Sequence, residues 1–90
     1  MPIIKFTANL KRFYPHLGEE HTDIQALPEI LDELEAKFKG IKHYIVDEQG
    51  RLRKHVNIFV GNELIKDREK LSDRIKSTDE IYIMQALSGG

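Results

Sequence analysis

Ala26-Leu27-Pro28-Glu29-Ile30-Leu31-Asp32-Glu33-Leu34-Glu35-Ala36-Lys37-Phe38-Lys39-Gly40 carries the clearest periodicity in the chain. Leu27, Ile30, Leu31 and Leu34 fall on one helical face, and Phe38 continues the stripe one turn on. The pattern predicts a helix of about three turns, from roughly Pro28 to Lys39, with that face packed on a sheet. Pro28 suits the first turn, where its missing N–H costs nothing. Glu29 and Asp32 favour the positive end, Lys37 and Lys39 the negative end. Gly40 is a fitting terminator.

On the N-terminal side the texture is β. Ile3-Ile4-Lys5-Phe6-Thr7-Ala8 reads as a first strand. Asn9 to Gly18, with Pro15 and Gly18 as breakers, reads as a loop. Glu20 to Gln25 is expected to form a second strand, closing a hairpin with the first.

After Gly40 the β texture returns. Tyr44-Ile45-Val46-Asp47 and Leu52-Arg53-Lys54 read as extended segments around the break Glu48-Gln49-Gly50. His55 to Val60 is the strongest strand of the middle, Gly61-Asn62 a tight turn tolerant of positive φ, and Glu63-Leu64-Ile65 its short return. From Lys66 to Thr78 charge dominates, with Leu71 and Ile75 as apolar anchors, and a short helical turn and loop are expected. Ser77 to Glu80 is a polar turn into a last strand, Ile81 to about Gln85. The order β-β-α-β-β-β predicts an α+β class. If the first and last strands pair in the middle of a mixed sheet of about five strands, one amphipathic helix covers one face.

Ninety residues predict a single domain, 1–90, with a modest core that buries roughly 60–65% of the unfolded surface. Apolar and charged fractions of 40% and 32% belong to a globular chain, and a net charge of -1 argues against a nucleic-acid binder. The absence of cysteine excludes disulfides, thiolate metal sites and a thiol nucleophile. Met1-Pro2-Ile3-Ile4-Lys5 has neither the basic start nor the apolar stretch of a signal peptide, and no apolar run is long enough to span a bilayer. A cytoplasmic protein without a membrane partner is expected.

The sequence passes from the last strand into Gln85-Ala86-Leu87-Ser88-Gly89-Gly90. This tail, expected to be flexible from about residue 86, together with Asp79-Glu80-Ile81-Tyr82-Ile83-Met84 before it, resembles the end of the MoaD/ThiS family of sulfur carriers. His55-Val56-Asn57-Ile58-Phe59-Val60-Gly61-Asn62 is similar to a strand and turn of that family. Two departures are visible: Gln85 stands where many members have proline, and Gly61-Asn62 reverses the common turn order. The stretch from Lys42 to Arg53 is longer than in the shortest members. The resemblance implies a β-grasp, ubiquitin-like fold.

It also implies a chemistry. Gly90 would be adenylated by an E1-like adenylyltransferase with ATP, then converted to a thiocarboxylate by a sulfurtransferase or other sulfur donor. The sulfur would pass to an acceptor synthase subunit in molybdopterin, thiazole, cysteine or tRNA-thiolation chemistry. The carrier would hold no cofactor and catalyse nothing itself. A C-terminal carboxylate, with an ordinary pKa of about 3.3–3.7, is ionised at neutral pH and able to attack a phosphorus. Gly89 and Gly90 lack a Cβ and so suit a narrow cleft. Leu87 to Gly90 spans at most about 13–14 Å, at roughly 3.3–3.6 Å per residue.

Strand alternation puts Ile81 and Ile83 on one face and Tyr82 and Met84 on the other. Tyr82, Met84 and Leu87, with Phe59 and Leu64 as weaker candidates, are the expected partner-docking residues. The bland alternative is half-buried strand packing. His16, His21, His43 and His55 lack metal-ligand spacing. Arg51, Arg53 and Lys54, with Lys42 nearby, read as a solvated edge strand, or alternatively as a surface for an acidic partner. No catalytic triad, phosphate-binding loop or carboxylate pair appears, so no enzyme activity is expected. Two rival functions remain: a ubiquitin-like modifier joined to lysines through Gly90, and an interaction module with an inert tail.

Overall fold

The computed structural model describes residues 2–85, the side chains of residues 8 and 9 excepted. In chain order these form β1 (Ile3–Phe6), α1 (Ala8–Phe13), β2 (Glu20–His21), α2 (Leu27–Lys37), α3 (Ile41–Ile45), β3 (Val56–Val60), β4 (Glu63–Leu64) and β5 (Glu80–Gln85). The strands make one mixed sheet in the order β2-β1-β5-β3-β4. β1 and β5 pair in parallel at its centre, Ile4 beside Ile81 and Phe6 beside Ile83. A parallel pair needs a crossover, and almost the whole chain supplies it. The remaining pairings are antiparallel. This is the expected β-grasp arrangement.

Alternation along the strands sorts the faces. Ile4, Phe6, Val56, Ile58, Ile81 and Ile83 are buried and share one core with Leu27, Ile30, Leu31 and Leu34 of α2. The helix therefore lies where its stripe predicts. It runs Leu27–Lys37, two residues shorter at its C-terminal end than expected, because Phe38 already leaves helical geometry while its N–H still reaches the Leu34 carbonyl. Gly40 then takes φ 91°, a left-handed conformation open to glycine, and a Cβ there would lie 3.0 Å from the Tyr14 hydroxyl.

The structure corrects several local expectations. Asn9 to Gly18 is not all loop: α1 occupies Ala8–Phe13. Leu10 and Leu17 are buried and Tyr14 packs half-buried against the same core, an i, i+4, i+7 spacing that Pro15 disguised. The second strand stops at His21 rather than Gln25, since Thr22 turns the chain by accepting the Ile24 N–H on Oγ1 at 3.1 Å. Tyr44 to Asp47 and Leu52 to Lys54 are not strands. Ile41 and Ile45, one helical turn apart and both fully buried, fold the first part into α3, so packing overrides the β preference of these residues. Only a single bridge, Val46 to Leu52, remains of the expected pairing.

Elsewhere the expected boundaries move by one or two residues. β1 ends at Phe6 rather than Ala8, because Thr7 takes the N-cap position of α1 and Ala8 begins it. β3 starts at Val56, β4 ends at Leu64, and β5 starts at Glu80. Gly61 and Asn62 have φ of 59° and 72°, as a tight hairpin turn requires. Lys66 to Thr78 forms turns without a helix. Asp67 organises them, accepting the N–H groups of Glu69 and Lys70 at 3.2 and 3.0 Å, while Asp73 accepts that of Asp67 at 2.8 Å. Leu71 and Ile75 are buried as expected. No helix among the described residues is long and apolar enough to cross a membrane.

Candidate functional site

The sheet face turned away from α2 carries the sequence-derived candidates. The register places Lys5, Tyr82, Phe59 and Leu64 in one row across β1, β5, β3 and β4. Met84 stands opposite Asn57 in the adjacent row. Tyr82 is 38% exposed, Met84 39% and Leu64 49%, whereas Ile81 and Ile83, alternating with the first two along β5, are fully buried. Phe59 is half-buried in the middle of the row. Four apolar side chains thus gather on the open face. Leu87, Gly89 and Gly90 lie outside the described residues.

Polar groups border this patch. Lys5 Nζ lies 3.3 Å from Glu80 and 3.8 Å from Glu19, exposed pairs that contribute little stability. Arg68 donates from Nη1 to Asn57 Oδ1 at 2.9 Å and from Nη2 to the carbonyls of Arg53 and Val56 at 2.7 and 2.9 Å. One guanidinium therefore staples the turn region to the start of β3. Sequence reasoning had no way to see Arg68, because its partners lie eleven to fifteen residues away.

The end of β5 is held from several sides. The Gln85 backbone N–H donates to Thr7 Oγ1 at 3.2 Å. Its side-chain Nε2 donates to the Tyr44 carbonyl at 3.3 Å and lies 3.5 Å from His55 Nε2. Tyr44 in turn stacks on Phe13, ring centroids 5.1 Å apart, and Phe13 is 58% exposed. Phe13 was hidden from sequence reasoning by the reading of its segment as loop, which assigns no face to any residue.

The basic residues divide. Arg51, Arg53 and Lys54 line a basin of about 540 Å³ with His55 and Arg68. Lys42 lies apart, paired with Asp32. The expected edge strand is absent here; Asp47 instead folds the segment by accepting the N–H groups of Gln49 and Arg51 at 2.9 and 3.0 Å. Those bonds, that from Arg51 foremost, hold the Asp47 carboxyl below its ordinary pKa. Burial raises the Tyr14 hydroxyl above its ordinary value, with Tyr44 and Glu35 adding to the shift. Among the described residues no three His, Cys, Asp or Glu side chains gather as metal ligands.

The chain as a whole, in sequence and in fold, is similar to known proteins. A model described as the ThiS family matches residues 4–90. Sulfur carrier protein CysO of Mycobacterium tuberculosis is 30% identical over 81 residues, covering 84% of this chain and 87% of that protein. A chain in the crystal structure of the Amycolatopsis orientalis BexX/CysO complex superposes with a TM-score of 0.83, covering 100% of both chains at 23% identity, a likeness of fold. The solution structure of small archaeal modifier protein 1 from Methanosarcina acetivorans is 25% identical, with a TM-score of 0.77 over 99% of this chain and 95% of that one.

Proposed function

The chain belongs to the ThiS family, and from that membership we propose that it is a sulfur carrier working through the carboxyl group of Gly90. The observation that carries the reading is the extent of the family match, which runs from residue 4 through Gly90 and so includes both glycines. Identity of 30% to a sulfur carrier protein over most of both chains supports it.

The Gly90 carboxylate attacks the α-phosphorus of ATP on an E1-like adenylyltransferase, and pyrophosphate leaves. A hydrosulfide equivalent from a sulfur donor adds to the acyl-adenylate carbonyl, and AMP leaves with the bonding pair. The thiocarboxylate sulfur then attacks an electrophilic carbon of the acceptor and displaces the leaving group that carbon carries, which departs with its bonding pair. Water then cleaves the acyl–sulfur bond, restoring the Gly90 carboxylate and leaving the sulfur on the acceptor as a thiol. Catalytic groups belong to the partners throughout. This chain contributes the reacting carboxyl group, the clearance that glycine gives it, and the surface by which it is recognised. Tyr82 and Met84, with Phe59 and Leu64 beside them, are that surface, an apolar patch with a polar rim as protein interfaces have.

A second reading is favoured by the likeness to small archaeal modifier protein 1. In it the same acyl-adenylate ends on an amine, as an isopeptide bond between Gly90 and a lysine of another protein. Intact mass spectrometry of the protein from its native cell separates the two. Exchange of one terminal oxygen for sulfur supports the carrier, and Gly90 joined to lysines supports the modifier. Full cellular activity after deletion of Gly90 would end both.

A further inference from the structure

We infer that Gln85, with Thr7, is a positioning residue that fixes where and in what direction the chain leaves the sheet toward Gly90. The inference rests on the sulfur-carrier reading and adds a role to two residues that reading does not use.

Thr7 is the first anomaly. It occupies the N-cap of α1 with extended backbone angles, φ -77° and ψ 165°, yet its side chain makes no cap hydrogen bond. A threonine in that place ordinarily turns its oxygen onto the first turn of its own helix. Here Oγ1 faces β5 instead and accepts the Gln85 N–H at 3.2 Å. The reason is visible in the ladder. β1 and β5 pair as far as Phe6 beside Ile83, and the Thr7 N–H still reaches the Ile83 carbonyl at 3.2 Å. Beyond that β1 becomes α1, so β5 has no strand on that side to receive the Gln85 N–H. The Thr7 hydroxyl substitutes for the missing strand, and α1 forgoes its cap.

Gln85 completes the arrangement from the other side. A carbonyl can only accept, so the Tyr44 oxygen at 3.3 Å sets the amide with Nε2 toward it. His55 Nε2 lies 3.5 Å from the same nitrogen. On the sheet Gln85 pairs with Val56 of β3. The last residue of β5 is thereby tied to the start of α1, to α3 and to the start of β3. Such a tether does not strengthen docking, which falls to the outward-facing Tyr82 and Met84. It sets the direction in which the reacting end is offered, and orientation of a reacting group changes the rate of the chemical step more than the affinity for the enzyme.

The test is steady-state adenylation of the full chain, measured as carrier-dependent ATP–pyrophosphate exchange with the activating enzyme fraction of the native cell. Gln85→Leu removes the amide and keeps the bulk, and Thr7→Val removes the hydroxyl isosterically. Each is expected to lower kcat by roughly tenfold with KM within about twofold of wild type. Thr7→Ser, which keeps the acceptor, is expected to keep kcat at the wild-type level. Wild-type kcat in a folded Gln85→Leu or Thr7→Val, or a raised KM at constant kcat, overturns the inference while leaving the carrier reading intact. Should Gln85→Leu fail to fold, the Thr7→Val and Thr7→Ser pair decides alone. Absence of exchange with the wild-type chain, or equal exchange after deletion of Gly90, overturns the carrier reading and the inference together.

Discussion

Tyr82 of β5 stands directly opposite Phe59 of β3 on the open face of the sheet, while its neighbour Ile83 points through the sheet into the core. The proposed docking surface and the core are therefore interleaved at single-residue spacing along one strand. Substitutions at adjacent positions should separate them. Tyr82→Ala truncates one side chain of a cross-strand register pair on the open face and is expected to cost about 0.2–1 kcal/mol. Ile83→Ala leaves a cavity in the core and is expected to cost about 2–5 kcal/mol. Urea denaturation measures both. Combined with Met84→Ala, the Tyr82 change should raise KM for activation about tenfold while leaving the fold cooperative.

That alternation was legible in the sequence because period-two patterning is local. So was the α2 stripe, and so was the Gly61-Asn62 turn, whose positive φ values only a few residues tolerate. What escaped was decided by distant partners. Ile45 belongs by composition to a strand, yet it is helical because burial one turn after Ile41 outweighs propensity. α1 escaped because a six-residue helix offers too few turns for its periodicity to stand out before Pro15. The ends of β5 and α1 are joined by Thr7 and Gln85, 78 residues apart, and no spacing rule reaches that far. The docking candidates could be named from the strand alone, but the tether beneath them could not.

Glu35 ties α2 to α3. Its two carboxylate oxygens accept the backbone N–H groups of Gly40 at 2.7 Å and Lys42 at 2.9 Å. These bonds, that from Gly40 foremost, hold its pKa below the ordinary 4.5. A folded-state pKa below the unfolded one means stabilisation that is complete above about pH 4.5 and lost as pH falls through the folded value. Glu35→Ala is expected to cost about 1 kcal/mol at neutral pH, as loss of a helix cap does. Glu35→Gln keeps one acceptor and should cost less, with a shallower decline of stability in acid. Chemical denaturation repeated from neutral pH to below pH 4 would show whether the two curves converge as this requires.

The β3–β4 hairpin depends on Gly61 for two independent reasons. Its φ of 59° is left-handed, and a Cβ would stand 2.9 Å from Asp79 Oδ1. Asp79 is not free to retreat, since its Oδ2 accepts the Lys76 N–H at 2.8 Å. Gly61→Ala is therefore expected to destabilise by more than the 1–2 kcal/mol or so of left-handed strain alone. Asn62→Gly, in the same turn but with a residue better suited to positive φ, should be close to neutral. Equal melting temperatures for Gly61→Ala and wild type would show that the turn has another conformation available.

Leu71 sets strain against burial. Its φ is 55°, a conformation that costs a leucine roughly 1–2 kcal/mol, yet its side chain is only 2% exposed within the core. The turn built on Asp67 holds it there, the Leu71 N–H bonding the Asp67 carbonyl at 3.0 Å. Leu71→Ala removes the buried side chain, at about 2–5 kcal/mol, and keeps the strain. Leu71→Gly removes the Cβ as well, a small further loss of burial, but relieves the strain. The expected order of stability is wild type, then glycine, then alanine. In ordinary right-handed positions glycine is the weaker of the two small residues by about 0.5–1 kcal/mol, so the inversion is diagnostic. Finding alanine more stable than glycine in urea denaturation would mean that residue 71 can leave the left-handed region once its side chain is gone, and that core packing alone puts it there.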